Sequence, residues 1–248
     1  MKWNAQQYET QHDFVFKYGA GLLDQVPETA TTVLDVGCGT GDLTDQLRQR
    51  GYAVVGIDQS AEMVAEAQRL YPDTHFDQQD IVTMPITHTY DVVFSNAVFH
   101  WITDQNQLLV QVNQTLNPNG QLVCEFGAAG NVATICSAFG NELHALGMRY
   151  QVPFFFPETA IYQHLLEKHK FEVLDMEVYD RPTVLRGGAE GLGNWVQQFF
   201  ESDLSRLSNT QQSMVISHMA DRLHDKLWVN DHWEADYRRL RVVARKVT

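Results

Sequence analysis

Cysteine is scarce in this chain, and its three copies, Cys38, Cys124 and Cys136, stand far apart. No two have the close spacing of a zinc site or a redox dithiol, and an odd, dispersed set fits a reducing compartment better than a disulfide framework. No bound metal is expected. Basic residues are also few: 18 Lys and Arg against 31 Asp and Glu give a formal net charge of −13. Such a surface repels nucleic-acid phosphates and anionic membranes, which argues against both as partners. The first residues, Met-Lys-Trp-Asn-Ala-Gln-Gln, lack an apolar signal core, and no run approaches membrane-spanning length. A cytoplasmic location is the expectation. Internal repeats, low-complexity linkers and long charged tails are missing too.

What is present is enough apolar material for a core, 44% over 248 residues, read as one domain spanning the chain. The stretch from Thr32 to Leu43 organises it. Val33, Leu34 and Val36 form a short apolar run that stops at a glycine cluster, and Leu43 and Leu47 then recur at helical spacing. This predicts a strand, a tight turn and a helix ending at Gly51. A glycine-rich turn between strand and helix lets a ligand approach the backbone and meet the helix's unpaired N–H groups. The glycines stand at positions 37, 39 and 41, whereas a dinucleotide fingerprint places its third glycine five residues after the first, where this chain has Asp42. That spacing opposes a nicotinamide or flavin cofactor. Asp35, expected at the mouth of the cleft, would repel a diphosphate and suit a ligand carrying an ammonium and a sulfonium, as S-adenosylmethionine does.

The run Asp35-Val-Gly37-Cys38-Gly39-Thr-Gly41 resembles the first motif of class I S-adenosylmethionine-dependent methyltransferases, and the resemblance continues through Leu122. It implies an α/β, Rossmann-like fold: a seven-stranded, mostly parallel sheet whose last strand is antiparallel, with helices on both faces. The resemblance further implies that Asp35, Gly37, Cys38, Gly39 and Gly41 hold the amino acid part of the cofactor. Asp58, with Gln59 beside it, follows the second strand about 20 residues past the loop, where a carboxylate can accept from a ribose diol. Met63 is expected near the adenine, Asp80 at its amino group and Ile81 beside the ring. The product would be S-adenosylhomocysteine.

Tyr90 to Ala97 reads as a strand buried on both faces, and ligands of open parallel sheets bind beyond the carboxyl ends of the strands. Asn96 and Ala97 are thus expected to border the sulfonium, and His100 and Trp101 the acceptor. The Asn-Ala-x-x-His-Trp pattern is similar to the trans-aconitate methyltransferase-like subgroup, where glutamine is usual at the position of His100. A neutral imidazole there could take a proton from the acceptor or merely form a hydrogen bond. The resemblance adds Trp3, Tyr8 and His12 from the N-terminal segment to the acceptor site, with His12 as a second catalytic candidate. It also implies a small-molecule acceptor, a carboxylic acid by analogy. The arginine pair of those relatives is replaced here by Val15 and Lys17, leaving Arg149, Arg181 and Arg186 as substitutes.

Further along, Asn117-Pro-Asn-Gly120 signals a turn before a strand over 121–126. A helix is expected over 131–148, an aromatic corner at Phe154-Phe155-Phe156, and a strand from Phe171. Residues 128–160 and 186–230 are read as inserts over the acceptor, and Leu240 to Val247 as the closing strand. Ser208-x-x-Gln211 matches a capping box. Competing functions are a nicotinamide-dependent oxidoreductase and a catalytically silent cofactor-binding protein; methylation of a protein partner and a homodimeric state are left open.

Overall fold

A computed structural model describes residues 21–247. In chain order the elements are β1 (Thr32–Val36), α1 (Asp42–Gln49), β2 (Ala53–Asp58), α2 (Ala61–Leu70), β3 (His75–Gln78), β4 (Tyr90–Asn96), a 3-10 turn (Phe99–Trp101), α3 (Gln105–Thr115), β5 (Leu116–Gly127) and α4 (Ala133–Ala145). There follow α5 (Thr159–Lys168), β6 (Phe171–Asp180), β7 (Thr183–Leu185), α6 (Gly191–Phe199), α7 (Glu201–Leu204), α8 (Asn209–Leu227), β8 (Trp228–Val229), β9 (His232–Ala235) and β10 (Arg238–Lys246). These elements group into two compact units, one holding residues 130–153 and 180–238 and the other the remaining described chain.

The larger unit is the seven-stranded sheet, in the order β3-β2-β1-β4-β5-β10-β6. β1 runs parallel to β2 and β4, β2 to β3 and β4 to β5, whereas β10 lies antiparallel to β5. This is the expected sheet, last strand included. Successive strand residues point to opposite faces, so Val33 and Leu34 enter different cores. Val33, Phe94 and Val123 pack with Leu22, Leu43 and Leu47 on one face; Leu34, Val93 and Leu122 pack with Leu108, Leu109 and Leu166 on the other. The order reverses between β1 and β4, which opens a crevice beyond their carboxyl ends.

Three boundaries differ from the sequence reading. β5 begins at Leu116 and runs through the expected turn; the turn survives as a break in the β4 register after Tyr90 and as Asn119 at φ 64°. The helix expected over 131–148 is α4, started by a left-handed Val132 and followed by Gly147 at φ 73°. The region 186–230, read as an insert, contributes α6 to α8 to the smaller unit, which also contains a three-stranded antiparallel sheet, β7-β9-β8. Strands of two to four residues are too short to show an alternating pattern. The capping box on α8 is present, with Ser208 Oγ accepting from Gln211 N and Gln211 answering to the Ser208 amide. No helix among the described residues is long and apolar enough to cross a membrane.

Candidate active site

The glycine loop joins three strand ends of the larger unit. Gly37 N and Cys38 N both donate to Ile57 O at the end of β2, at 2.7 and 3.0 Å. Gly37 adopts φ 72°, and a Cβ there would lie 2.3 Å from Val98 just past β4, so only glycine lets these segments meet. Ser95 Oγ donates to Val36 O at 2.8 Å, tying β4 to β1 at the same level. Gly41, at φ 91°, precedes α1, and a Cβ on it would strike Phe76 at 2.6 Å. Gly39 differs: at φ 55° a Cβ would meet nothing within 4 Å. The loop is packed on both sides and open at its middle glycine.

Two carboxylates flank that opening. Asp58 Oδ2 accepts from Gly39 N at 3.1 Å and Oδ1 from Ser60 N at 2.9 Å, and the Gln59 amide also supports the carboxylate. Burial raises its carboxyl above the usual range, against those backbone donors. Asp35 is only 2% exposed, so it sits within the protein rather than at an open mouth as the sequence reading had it. Its Oδ2 accepts from the buried Thr44 hydroxyl at 2.6 Å. Burial pushes the Asp35 carboxyl up to about 7, Thr44 opposes the rise and the Asp58 charge adds to it. A cationic ligand would reverse this balance by stabilising both carboxylates. The donor set therefore fits the amino acid and ribose parts of S-adenosylmethionine: an acidic group for the ammonium, a second for the diol, and bare backbone at Gly39. Cys38 is partly buried, and burial pushes its thiol far up, so it stays un-ionised.

The remaining cofactor candidates are distributed around the β2 and β3 ends. Gln79 N donates to Asp58 O at 3.0 Å, which draws the 78–81 segment to β2. Asp80 is exposed and makes a turn, its Oδ1 accepting from Val82 N at 2.9 Å; Ile81 and Met63 are buried. Gln59 is exposed, with its carbonyl accepting from Gln78 Nε2. Among the described residues no group of three or more His, Cys, Asp or Glu is placed to hold a metal ion.

Beyond β4 the backbone is under strain. Ala97 has φ 62° and its N–H donates to Glu125 O at 2.7 Å, which fixes a conformation unusual for a non-glycine residue. Asn96 is buried beside it. His100 is 8% exposed, and its Nδ1 accepts from Gly127 N at 3.4 Å, a long contact that assigns the ring proton to Nε2. Burial holds the imidazole well below its ordinary pKa, and the neighbouring Arg239 charge adds to the effect. Arg239 is itself 3% exposed and pairs with Gly127 across β10 and β5. Aromatic rings surround the histidine: Trp101, Phe154 and Phe156 have centroids 5.5, 6.1 and 5.7 Å away. Phe155 points into the core instead, so the aromatic corner alternates, two rings on the site and one in packing.

Sequence reasoning missed Thr44, Gly127 and Arg239. Thr44 occupies an ordinary helical position, while Gly127 and Arg239 reach His100 only through the β5–β10 register. Arg149 and Arg186, offered as substitutes for the missing arginine pair, are exposed, and Arg181 is buried; all three belong to the smaller unit. Trp3, Tyr8 and His12 lie outside the described residues.

Comparison with known proteins places this geometry. Residues 34–124 match a family model described as a methyltransferase domain. An uncharacterized methyltransferase of Schizosaccharomyces pombe is 32% identical over 98% of each chain. The trans-aconitate 2-methyltransferase of Deinococcus radiodurans is 36% identical, over 57% of each chain. The fold superposes on phosphoethanolamine N-methyltransferase 2 of Haemonchus contortus, in complex with phosphomonomethylethanolamine and S-adenosylhomocysteine. There the TM-score is 0.61 and the identity 19%, over 98% of this chain and 57% of that one. With the glycine loop, the two flanking carboxylates and the sheet order all in agreement, the chain belongs to the class I S-adenosylmethionine-dependent methyltransferases.

Proposed function

We propose that the methyl acceptor is a small carboxylate, received at the β4 end beside His100. The observation that carries this reading is the state of His100: buried, uncharged, with Nδ1 engaged by the Gly127 amide. Such an imidazole takes up a proton reluctantly and offers Nε2–H as a donor. A hydroxyl or ammonium acceptor must lose a proton to become nucleophilic, whereas a carboxylate at neutral pH has none to lose. The buried Arg239 beside it adds a positive charge, and a guanidinium is the group that best recognises carboxylates. The similarity to a trans-aconitate 2-methyltransferase, whose named acceptor is a polycarboxylate, lends support. Net charge of −13 also favours a small acceptor over nucleic acid.

In this reading Asp35 and the Gly37–Gly41 loop hold the amino acid end of S-adenosylmethionine, Asp58 the ribose, and Met63, Asp80 and Ile81 the adenine. Asn96 and Ala97 border the sulfonium. The cofactor supplies a methyl carbon already activated by a positively charged sulfur. The chain's own contribution is positioning and exclusion of water: the rigid Ala97 turn, the donor at His100 and the rings of Trp101, Phe154 and Phe156. An acceptor screen that follows S-adenosylhomocysteine formation tests the assignment, with di- and tricarboxylic acids, trans-aconitate included, set against phosphoethanolamine and simple alcohols. The expected product is a base-labile methyl ester of a carboxylic acid. Turnover with amines or alcohols alone would overturn it.

A further inference from the structure

We propose that Thr44 is the positioning residue of the cofactor site: its hydroxyl fixes the rotation of the Asp35 carboxylate and so sets how tightly a ligand's ammonium group is taken. This rests on the reading that Asp35 receives the amino acid end of S-adenosylmethionine. Thr44 is the third residue of α1 and is fully buried. A threonine inside a helix commonly returns its hydroxyl to the carbonyl four residues earlier. Here the hydroxyl leaves the helix and donates to Asp35 Oδ2 at 2.6 Å, the short length of a hydrogen bond to an ionised oxygen. The strand partners of Asp35 are Gly56 on β2 and Phe94 on β4, and neither side chain can donate. Among the described residues, Thr44 is thus the side-chain donor that opposes the effect of burial on this carboxyl. With Oδ2 committed, Oδ1 is the oxygen presented to a ligand.

Removing the hydroxyl leaves Asp35 in the same apolar surroundings without its donor, so the carboxyl holds its proton to higher pH. Below its midpoint each pH unit reduces the ionised fraction tenfold, and affinity for an ammonium group follows. The experiment is calorimetric titration with S-adenosylhomocysteine between about pH 6 and about pH 8.5, around the ordinary range of the shifted group. Wild type, Thr44→Val, Thr44→Ala and Thr44→Ser are compared. Methylthioadenosine, which lacks the amino acid end, serves as the control ligand. Wild-type affinity should weaken as pH falls below about 7. Thr44→Val should move that midpoint upward, weaken binding about tenfold at neutral pH and recover toward wild type at the alkaline end. Thr44→Ser should restore the wild-type midpoint, and methylthioadenosine should bind all variants alike. Thr44→Ala carries the same expectation should the valine variant fail to fold. Coincident midpoints for the wild type and the hydroxyl-free variants would overturn the role of Thr44 and leave the Asp35 reading standing. A flat wild-type profile would overturn the Asp35 reading itself.

Discussion

Single residues in the glycine loop separate folding from binding. Gly41 and Gly39 both carry positive φ, but a methyl group on Gly41 runs into Phe76 while one on Gly39 projects into open space. Gly41→Ala should therefore destabilise the fold by roughly 2–3 kcal/mol, combining backbone strain with overpacking. Gly39→Ala should cost only about 1 kcal/mol of stability and yet lose cofactor affinity, because its methyl occupies the space a ligand needs. Urea unfolding and S-adenosylhomocysteine titration on both variants check the contrast. His100 supports a second prediction at this scale. Its imidazole is held well below the ordinary value by burial and by Arg239, so no charge change at His100 falls between about pH 6 and about pH 8. At saturating substrates, kcat should be flat across that window. His100→Gln should keep S-adenosylhomocysteine affinity within about twofold and lower kcat/KM for the acceptor about tenfold, the size of one altered buried hydrogen bond. A limb in the profile near neutrality that vanishes in the variant would mean that the histidine titrates.

Elements were legible where the chain had room to repeat itself. The strand, glycine turn and helix from Thr32 to Gln49 could be read directly, as could the alternation in β6 and the capping box before α8, because each is set by local chemistry. Sheet order was not written in any local pattern; the family resemblance supplied the strand count and the direction of the last strand, and the order came from the structure. The strands β7, β8 and β9 were missed because two to four residues carry no period. The same limit hid most of what surrounds His100, since Gly127 and Arg239 reach it through the β5–β10 register, which pairs residues far apart in the chain. One cross-strand cluster gives this level its own test. Glu125 on β5 is almost fully buried; it accepts from Arg241 of β10 at 3.0 Å and from the Tyr179 hydroxyl of β6, with the Arg241 guanidinium 5.2 Å above the tyrosine ring. Arg241→Met would deprive a buried carboxylate of its guanidinium. The expected loss is about 3 kcal/mol in urea unfolding at neutral pH. Arg245→Met, which breaks the exposed pair with Glu172, should change stability by less than about 1 kcal/mol.

At the scale of the whole molecule, the cofactor-binding role proposed for Asp35 and the stability of the fold pull against each other. Its carboxyl is raised from an ordinary 3.8 to about 7 by burial. The folded state thus keeps this proton to a higher pH than the unfolded chain does. Stability contributed by the protonated form is complete below about pH 4 and is lost as pH rises through about 7, to a total of about 4 kcal/mol. Asp91 works in the opposite direction: amide donors from Thr31 and Thr32 and the Asn117 side chain hold it down to about 2, so its contribution disappears as pH falls below about 4. General repulsion at a net charge of −13 adds to the alkaline loss. Between these limits the ligand-free protein should be most stable in mildly acidic solution and should weaken toward about pH 8. Asp35→Asn keeps an acceptor for Thr44 but cannot ionise. The variant should therefore be more stable than the wild type at about pH 8, by up to about 4 kcal/mol, and should gain less from S-adenosylhomocysteine than the wild type does. The wild type should show a ligand-induced rise in melting temperature that is larger at about pH 8 than at about pH 6, because the ammonium group then meets a carboxylate already in its charged form. Calorimetric melting of both proteins at the two pH values, with and without ligand, measures all of these quantities together. Equal ligand-induced shifts in the wild type and Asp35→Asn would remove Asp35 from the cofactor site. An unstabilised but non-binding variant would instead leave Asp35 in the site and deny that its burial is costly to the fold.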